Sequence, residues 1–164
     1  MINKTSERTY LMVQAAAIAA IYTVLTMIFA PISFGPVQFR ISEALCILPF
    51  FTPAAVPGLF IGCLLSNFLY GAATLDVIFG SLATLIGALG SYWLRKNKWM
   101  VCVPPILSNT FIIPWVLRYA YGSEDLIWYA MFTVGIGEIL AIGVLGNVLL
   151  CVLNRYKGVI FGYQ

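Results

Sequence analysis

Residues 37–76 read VQFRISEALCILPFFTPAAVPGLFIGCLLSNFLYGAATLD. The stretch is apolar enough to lie in a bilayer, yet Arg40 and Glu43 stand at its start, Asp76 closes it, and Pro49, Pro53 and Pro57 interrupt its middle. Charge at membrane depth is costly, so a charged side chain kept there has work to do. The prolines decide the topology. Were Arg40 to Tyr70 a single crossing, the basic run Arg95, Lys96, Lys98 would fall on the opposite side of the membrane from the basic N-terminus. Two short crossings put both on the same side, as the bias of Lys and Arg toward cytoplasmic loops requires.

Composition agrees with a membrane chain. Hydrophobic residues make up 62% of the 164 residues and charged residues 9%, where a soluble domain carries about a quarter charged; mean hydropathy is +0.96. That length suffices for about six crossings of roughly 20 residues with minimal loops, so residues 1–164 read as a single transmembrane domain. The first apolar run follows MINKTSERTY with no small-residue cleavage site and reads as a retained span. Seven of the nine basic residues fall in three segments, Lys4 with Arg8, Arg95 with Lys96 and Lys98, and Arg155 with Lys157. Six helices with both termini cytoplasmic is the expected arrangement. The net charge of +3 reflects those segments, and no basic face exists to hold nucleic acid.

The expected spans follow from the apolar runs. The first covers about Tyr10–Ala30 and ends at Pro31, with a loop around Gly35 and Pro36. Within it Ala15 with Ala19, and Ala16 with Ala20, form overlapping small-xxx-small pairs, a spacing that lets another helix of this chain or of a partner approach closely. The second and third, Ile41–Phe51 and Ala55–Tyr70, are too short for straight crossings, and such proline-broken segments are where membrane proteins turn backbone toward a cavity. The fourth runs from Leu75 to Leu94, the fifth from Met100 to Tyr119 with a kink at Pro114, and the sixth from Ile127 to Leu153. Trp93 and Trp99 flank the basic loop as interface anchors.

The residue inventory excludes several chemistries. There is no histidine, which removes His-based nucleophilic catalysis, HExxH zinc chemistry and His proton relays. Cys46, Cys63, Cys102 and Cys151 have no CxxC spacing and read as buried small hydrophobes, with no metal site or disulfide. No cofactor is called for, and no catalytic residue is assigned, since Ser42, Ser66 and Ser108 lack a base at any motif spacing. An intramembrane enzyme using Glu43, Asp76 and Glu138 as an acid–base set is therefore the weaker alternative, beside a packing protein without ligand.

What remains is a set of polar side chains inside spans: Arg40, Glu43, Asn67, Asp76, Asn109, Glu138 and Asn147. Arg40 and Glu43 share a helix face near the outer surface, and Asn67 and Asp76 flank the turn at Gly71 at similar depth. Asn109 and Glu138 lie deeper, about 15 Å along their helices. Except for Asn147, which reads as a helix–helix hydrogen bond, they describe a cup open to the outside. Structural alternatives exist for Arg40 with Glu43 as an interfacial ion pair and for Asp76 as a helix cap, but least for Glu138. Carboxylates and amides suit a ligand with adjacent N–H donors or a cation, such as a guanine-like edge; Trp115 and Trp128 read as interface-belt residues, with cover for a bound ring from the outer side as the alternative. Composition alone does not select that ligand.

The runs VQFRISEALCILPFFTPAAVPGLFIGCLLSN, LDVIFGSLATLIGA, PPILSNT and VGIGEILA resemble the QueT family, S components of energy-coupling factor (ECF) transporters associated with queuosine precursors. The resemblance implies six helices, an outward pocket for 7-aminomethyl- or 7-cyano-7-deazaguanine built from Arg40, Glu43, Asn67, Asp76, Asn109 and Glu138, and a multi-pass place in a prokaryotic plasma membrane. It also implies partners: a membrane T component docking on Ala15, Ala16, Ala19 and Ala20, and two ATPase subunits. The chain has no GxxxxGK[ST] loop, so pumping needs a separate motor. Another planar vitamin on the same scaffold is the alternative within transport.

Overall fold

The computed structural model describes residues 4–33 and 39–161. In order come α1 (Lys4–Ile28), α2 (Ala30–Ser33), a 3₁₀ helix (Ile41–Phe50), α3 (Ala55–Tyr70), α4 (Thr74–Trp93), α5 (Val103–Tyr121), α6 (Ile127–Glu138), a π-helical segment (Ile139–Gly146) and α7 (Asn147–Ile160). No strand occurs among the described residues. Thr5–Ile28, Thr74–Trp93 and the continuous 34-residue run Ile127–Ile160 are each long and apolar enough to cross a membrane. Ile41–Phe50 and Ala55–Tyr70 are shorter apolar helices. The loop expected around Gly35 and Pro36, like Val37 and Gln38, lies outside the described residues.

Proline chemistry explains where the elements differ from expectation. A proline has no N–H to give the i−4 carbonyl, so Pro49, Pro53 and Pro57 delete ladder bonds at every fourth residue and the chain between Phe51 and Ala54 unwinds into turns. Ahead of that break the chain winds as a ten-residue 3₁₀ helix rather than an α-helix, and at about 2 Å per residue it reaches about 20 Å, further than ten α-helical residues would. Thr52 partly replaces the lost bonds, accepting from Ala54 N–H at 3.3 Å and donating to Gln14 Oε1 at 2.8 Å. The first helix stops at Ile28, before Pro31, which falls inside the short α2. The fifth begins at Val103 rather than Met100, because Pro104 and Pro105 fit a first turn whose amides need no intrahelical acceptor.

The 3₁₀ helix is the centre of the molecule. Ser42 to Pro49 are all buried, and the core formed around them takes Ile18 and Tyr22 from α1, Leu59 and Cys63 from α3, Ala88 from α4, Ala141 and Ile142 from the π-helical segment and Leu150 from α7. Outside this core the helices present apolar side chains such as Met12, Phe68, Phe132 and Val148, a surface suited to lipid. Cys46 and Cys63 are buried as expected, but Cys102 is only half-buried and Cys151 is exposed on that outer face, where a small hydrophobe meets lipid as readily as core.

Glycines set two helix seams. On α3, a Cβ at Gly58 would lie 2.8 Å from the Ala15 carbonyl oxygen and one at Gly62 2.8 Å from Tyr22 Cβ. The stripe Ala15, Ala19, Tyr22, Thr26 on α1 therefore faces α3 and the 3₁₀ helix. Between α4 and α5, a Cβ at Gly87 would lie 2.6 Å from Pro105 Cα and one at Gly90 2.5 Å from Pro104 Cβ. Gly87→Val is expected to lower stability by about 1–3 kcal/mol through overpacking against backbone that cannot yield. Gly143→Ala, whose new Cβ would sit 3.6 Å from Ile139 Cγ2, should be neutral. Tryptophan-fluorescence melts of both purified variants check the contrast, and equal midpoints would mean that the α4–α5 seam does not limit packing.

Candidate functional site

Arg40, Glu43, Asn67, Asp76, Asn109 and Glu138 are buried, none more than 4% exposed. Arg40 sits at the extended residue before the 3₁₀ helix, with Glu43 in its first turn. Asn67 lies one turn from the end of α3, where Gly71 adopts φ 78° and stops the helix. Asp76 lies in the first turn of α4, Asn109 near the middle of α5, and Glu138 ends α6 where the winding widens to π. Wide turns of that kind recur at functional sites. Here the turn coincides with the close approach of Gly146 to the Ala44 carbonyl on the 3₁₀ helix.

The polar groups form one chain of contacts. Arg40 Nη2 lies 3.8 Å from Asp76 Oδ1, so Arg40 pairs with Asp76 although Glu43 is its nearer neighbour in sequence. Asp76 Oδ2 accepts from Tyr121 Oη at 2.8 Å, and Asn67 Nδ2 donates to the Asp76 carbonyl at 3.4 Å and to Cys63 Sγ at 3.7 Å. Glu43 is held from within: Oε1 accepts from Tyr22 Oη at 2.5 Å and Oε2 from Cys46 Sγ at 2.9 Å. Asn109 Nδ2 donates to Glu138 Oε1 at 3.0 Å. Arg40, Glu43 and Glu138 lie within Coulombic reach of one another.

Among the described residues, Glu138 Oε2 and Asn67 Oδ1 find no hydrogen-bond donor, and Asp76 Oδ1 has only the Arg40 guanidinium 3.8 Å away. An unsatisfied buried acceptor costs about 1–3 kcal/mol, more when charged, and native proteins hold few. These acceptors match N–H groups or a positive charge, and Arg40 and Asn109 carry donors that match a carbonyl.

The tyrosines of the site were not apparent in the sequence. Tyr22 lies in an apolar run, yet the spacing Ala15, Ala19, Tyr22, Thr26 marks it as part of the buried stripe. Nothing in the loop after Tyr119 signals that Tyr121 reaches back to Asp76. Other expectations shift. Asn147 Nδ2 donates to the Gly143 carbonyl of its own helical run at 2.6 Å and, among the described residues, bonds no second helix, because that carbonyl lies one turn back and the side chain reaches it first. Trp115 stacks on Tyr119, centroids 6.3 Å apart, in a groove of about 610 Å³ between α4 and α5, and Trp128 is 79% exposed. Of the helix-one alanines, Ala15 and Ala19 pack toward α3 while Ala16 and Ala20 are exposed. All four line an apolar groove of about 670 Å³ with Pro53, Pro57 and Ile61.

A family model described as QueT transporter matches residues 12–155. The chain belongs to the QueT transporter family. A queuosine precursor transporter QueT from Lactococcus lactis subsp. cremoris strain MG1363 is 44% identical over 81 residues, 48% of this chain and 47% of the relative. The chain thus spans about half the length of the curated relative it matches. No solved structure matches. QueT membership accords with the apolar outer surface: this is a membrane protein of a transporter family and not an enzyme.

Proposed function

We propose that the protein is the S component, the substrate-binding subunit, of an ECF transporter, and that it captures a 7-deazaguanine precursor of queuosine from outside a prokaryotic cell. In this reading residues 1–164 form a single transmembrane domain in the plasma membrane. The crossings are α1, the 3₁₀ helix, α3, α4, α5 and the run α6–α7. Both termini are cytoplasmic, because the basic residues then gather on one face. Beside them Arg95 lies 4.2 Å over the Tyr92 ring and Lys98 4.9 Å over the Trp99 ring, as anchors at a headgroup boundary would. A membrane T component and two ATPase subunits supply the energy, the T component seating on the groove of α1 and α3.

The observation that supports the ligand class is the set of acceptors without a hydrogen-bond donor, Glu138 Oε2 and Asn67 Oδ1, beside Asp76 Oδ1, which has only the Arg40 guanidinium 3.8 Å away. A 7-deazaguanine edge presents a ring N–H and an exocyclic amine side by side, a pair that one carboxylate accepts. The ring carbonyl accepts from Arg40 or Asn109, and an aminomethyl cation at position 7 meets a second carboxylate. Glu43, Asp76 and Glu138 outnumber Arg40, so the cluster favours the cation.

Calorimetry on the purified protein is expected to give binding of 7-aminomethyl-7-deazaguanine at least tenfold tighter than of the 7-cyano compound, about 1.4 kcal/mol or more. Guanine should bind more weakly and riboflavin not at all. Tighter binding of the nitrile would overturn the charge argument. Silence toward both precursors in a folded sample would reject the ligand class and send the assignment to other planar vitamins.

A further inference from the structure

Resting on the site reading above, we infer that Tyr121 is a positioning residue: without touching ligand, it fixes the Asp76 carboxylate against Arg40 and shields that ion pair from water. Tyr121 is the last residue of α5, and Gly122 at φ 65° ends the helix there. The phenol crosses to the corner between α3 and α4, where it donates to Asp76 Oδ2 at 2.8 Å and accepts from Ala73 N–H at 3.2 Å. Its one proton is committed to the carboxylate, and the Ala73 amide takes up an acceptor site on the oxygen. The group is built to bridge rather than to receive a substrate.

The α4 backbone confines the carboxylate on a second side. On its far side stands Gly80, where an added Cβ would lie 2.9 Å from Asp76 Oδ1 and 3.2 Å from Asn67 Nδ2. Asp76 is thus gripped between the phenol and the α4 backbone, with Oδ1 turned toward Arg40 Nη2 at 3.8 Å. Exposure locates the shield: Tyr121 is 49% exposed and Asp76 1%. The ring forms the wall between carboxylate and exterior. Without the phenolic hydroxyl, Asp76 Oδ2 loses its donor, and water or rotation of the side chain replaces it. The guanidinium then loses its fixed counter-charge. Helix α5 holds a second carboxylate in the same manner, through Asn109 on Glu138, so one helix orients two acids of the cluster.

The test is a double-mutant cycle on affinity for 7-aminomethyl-7-deazaguanine, using full-length Tyr121→Phe, Asp76→Asn and the double variant, with thermal midpoints recorded for each. Tyr121→Phe keeps the ring and is expected to weaken binding about tenfold, the scale of one hydrogen bond to a charged group, mainly through faster dissociation. In the Asp76→Asn background the same change should have no further effect. Should Asp76→Asn fail to fold, Arg40→Lys replaces it, since it alters the other side of the same pair and keeps the charge. Two failures are distinguishable. If the Asp76 or Arg40 variant alone leaves affinity unchanged, the site reading falls and this inference with it. If that variant weakens binding but Tyr121→Phe does not, or the two losses simply add, the site stands and the role of Tyr121 is refuted.

Discussion

Replacing Glu138 by Gln is expected to weaken binding of 7-aminomethyl-7-deazaguanine by between tenfold and a hundredfold while leaving the empty protein as stable as before, or more so. The two atoms of the carboxylate explain both halves. Oε1 is already committed to Asn109 at 3.0 Å, and the Gln carbonyl can keep that bond. Oε2 has no partner, and in the variant an NH₂ takes its place, a donor facing the ligand's donors. The loss is that of a charge-assisted hydrogen bond, about 1.5–3 kcal/mol, together with the repulsion of like groups. Stability moves the other way because a buried carboxylate with one unmatched oxygen is desolvated at a cost that the neutral amide avoids. Calorimetry and thermal melts on the same samples decide the matter. Unaltered affinity would remove Glu138 from the pocket, and a large fall in the melting midpoint would make it a structural residue instead.

That Glu138 could be singled out from sequence, and Tyr121 could not, reflects how each announces itself. A carboxylate in the run VGIGEILA stands out because lipid tolerates it so poorly. The same reasoning reached Asp76 and Asn67, whose neighbourhood across Gly71 follows from a short turn. Tyrosine carries no such signal, being at home in an interface belt, so the bridge from Tyr121 to Asp76 depends on where α5 happens to end. Glu43 shows the reverse limit. Its charge was visible, but its commitment to Tyr22 was not, since pairing across 21 residues depends on how α1 packs, and the bond from Cys46 three residues on depends on the 3₁₀ winding. The helical elements were legible because hydropathy and proline placement govern them. The winding was less so: the 3₁₀ helix at Ile41–Phe50 and the π-helical segment at Ile139–Gly146, which meet where Gly146 approaches the Ala44 carbonyl, are departures from α-helix that a hydropathy pattern cannot express.

Packing also separates two roles that share one stripe of alanines, and from that separation follows the largest expected loss of function. On the S-component reading, Ala16→Trp with Ala20→Trp should abolish ATP-driven uptake in proteoliposomes that contain the proposed T component and ATPase subunits, while the isolated protein still binds precursor as wild type does. Ala16 and Ala20 are exposed and line the groove formed by α1 with Pro53, Ala54, Pro57, Ile61 and Leu65. Two indole rings would fill much of that cavity of about 670 Å³, and a helix that depends on close approach can no longer seat. Binding survives because Ala16 and Ala20 are exposed, whereas α1 reaches the polar cluster through the buried Tyr22. Ala19 provides the contrast. It is 5% exposed and its carbonyl oxygen would lie 3.0 Å from a Cβ at Gly62, so a bulky residue there should unfold the seam and lose binding and uptake together. Full uptake by the Ala16, Ala20 variant would show that the groove is lipid-facing and that any energising partner docks elsewhere. Loss of binding in that variant would show that the outer face of α1 supports the site as well as the face that carries Tyr22.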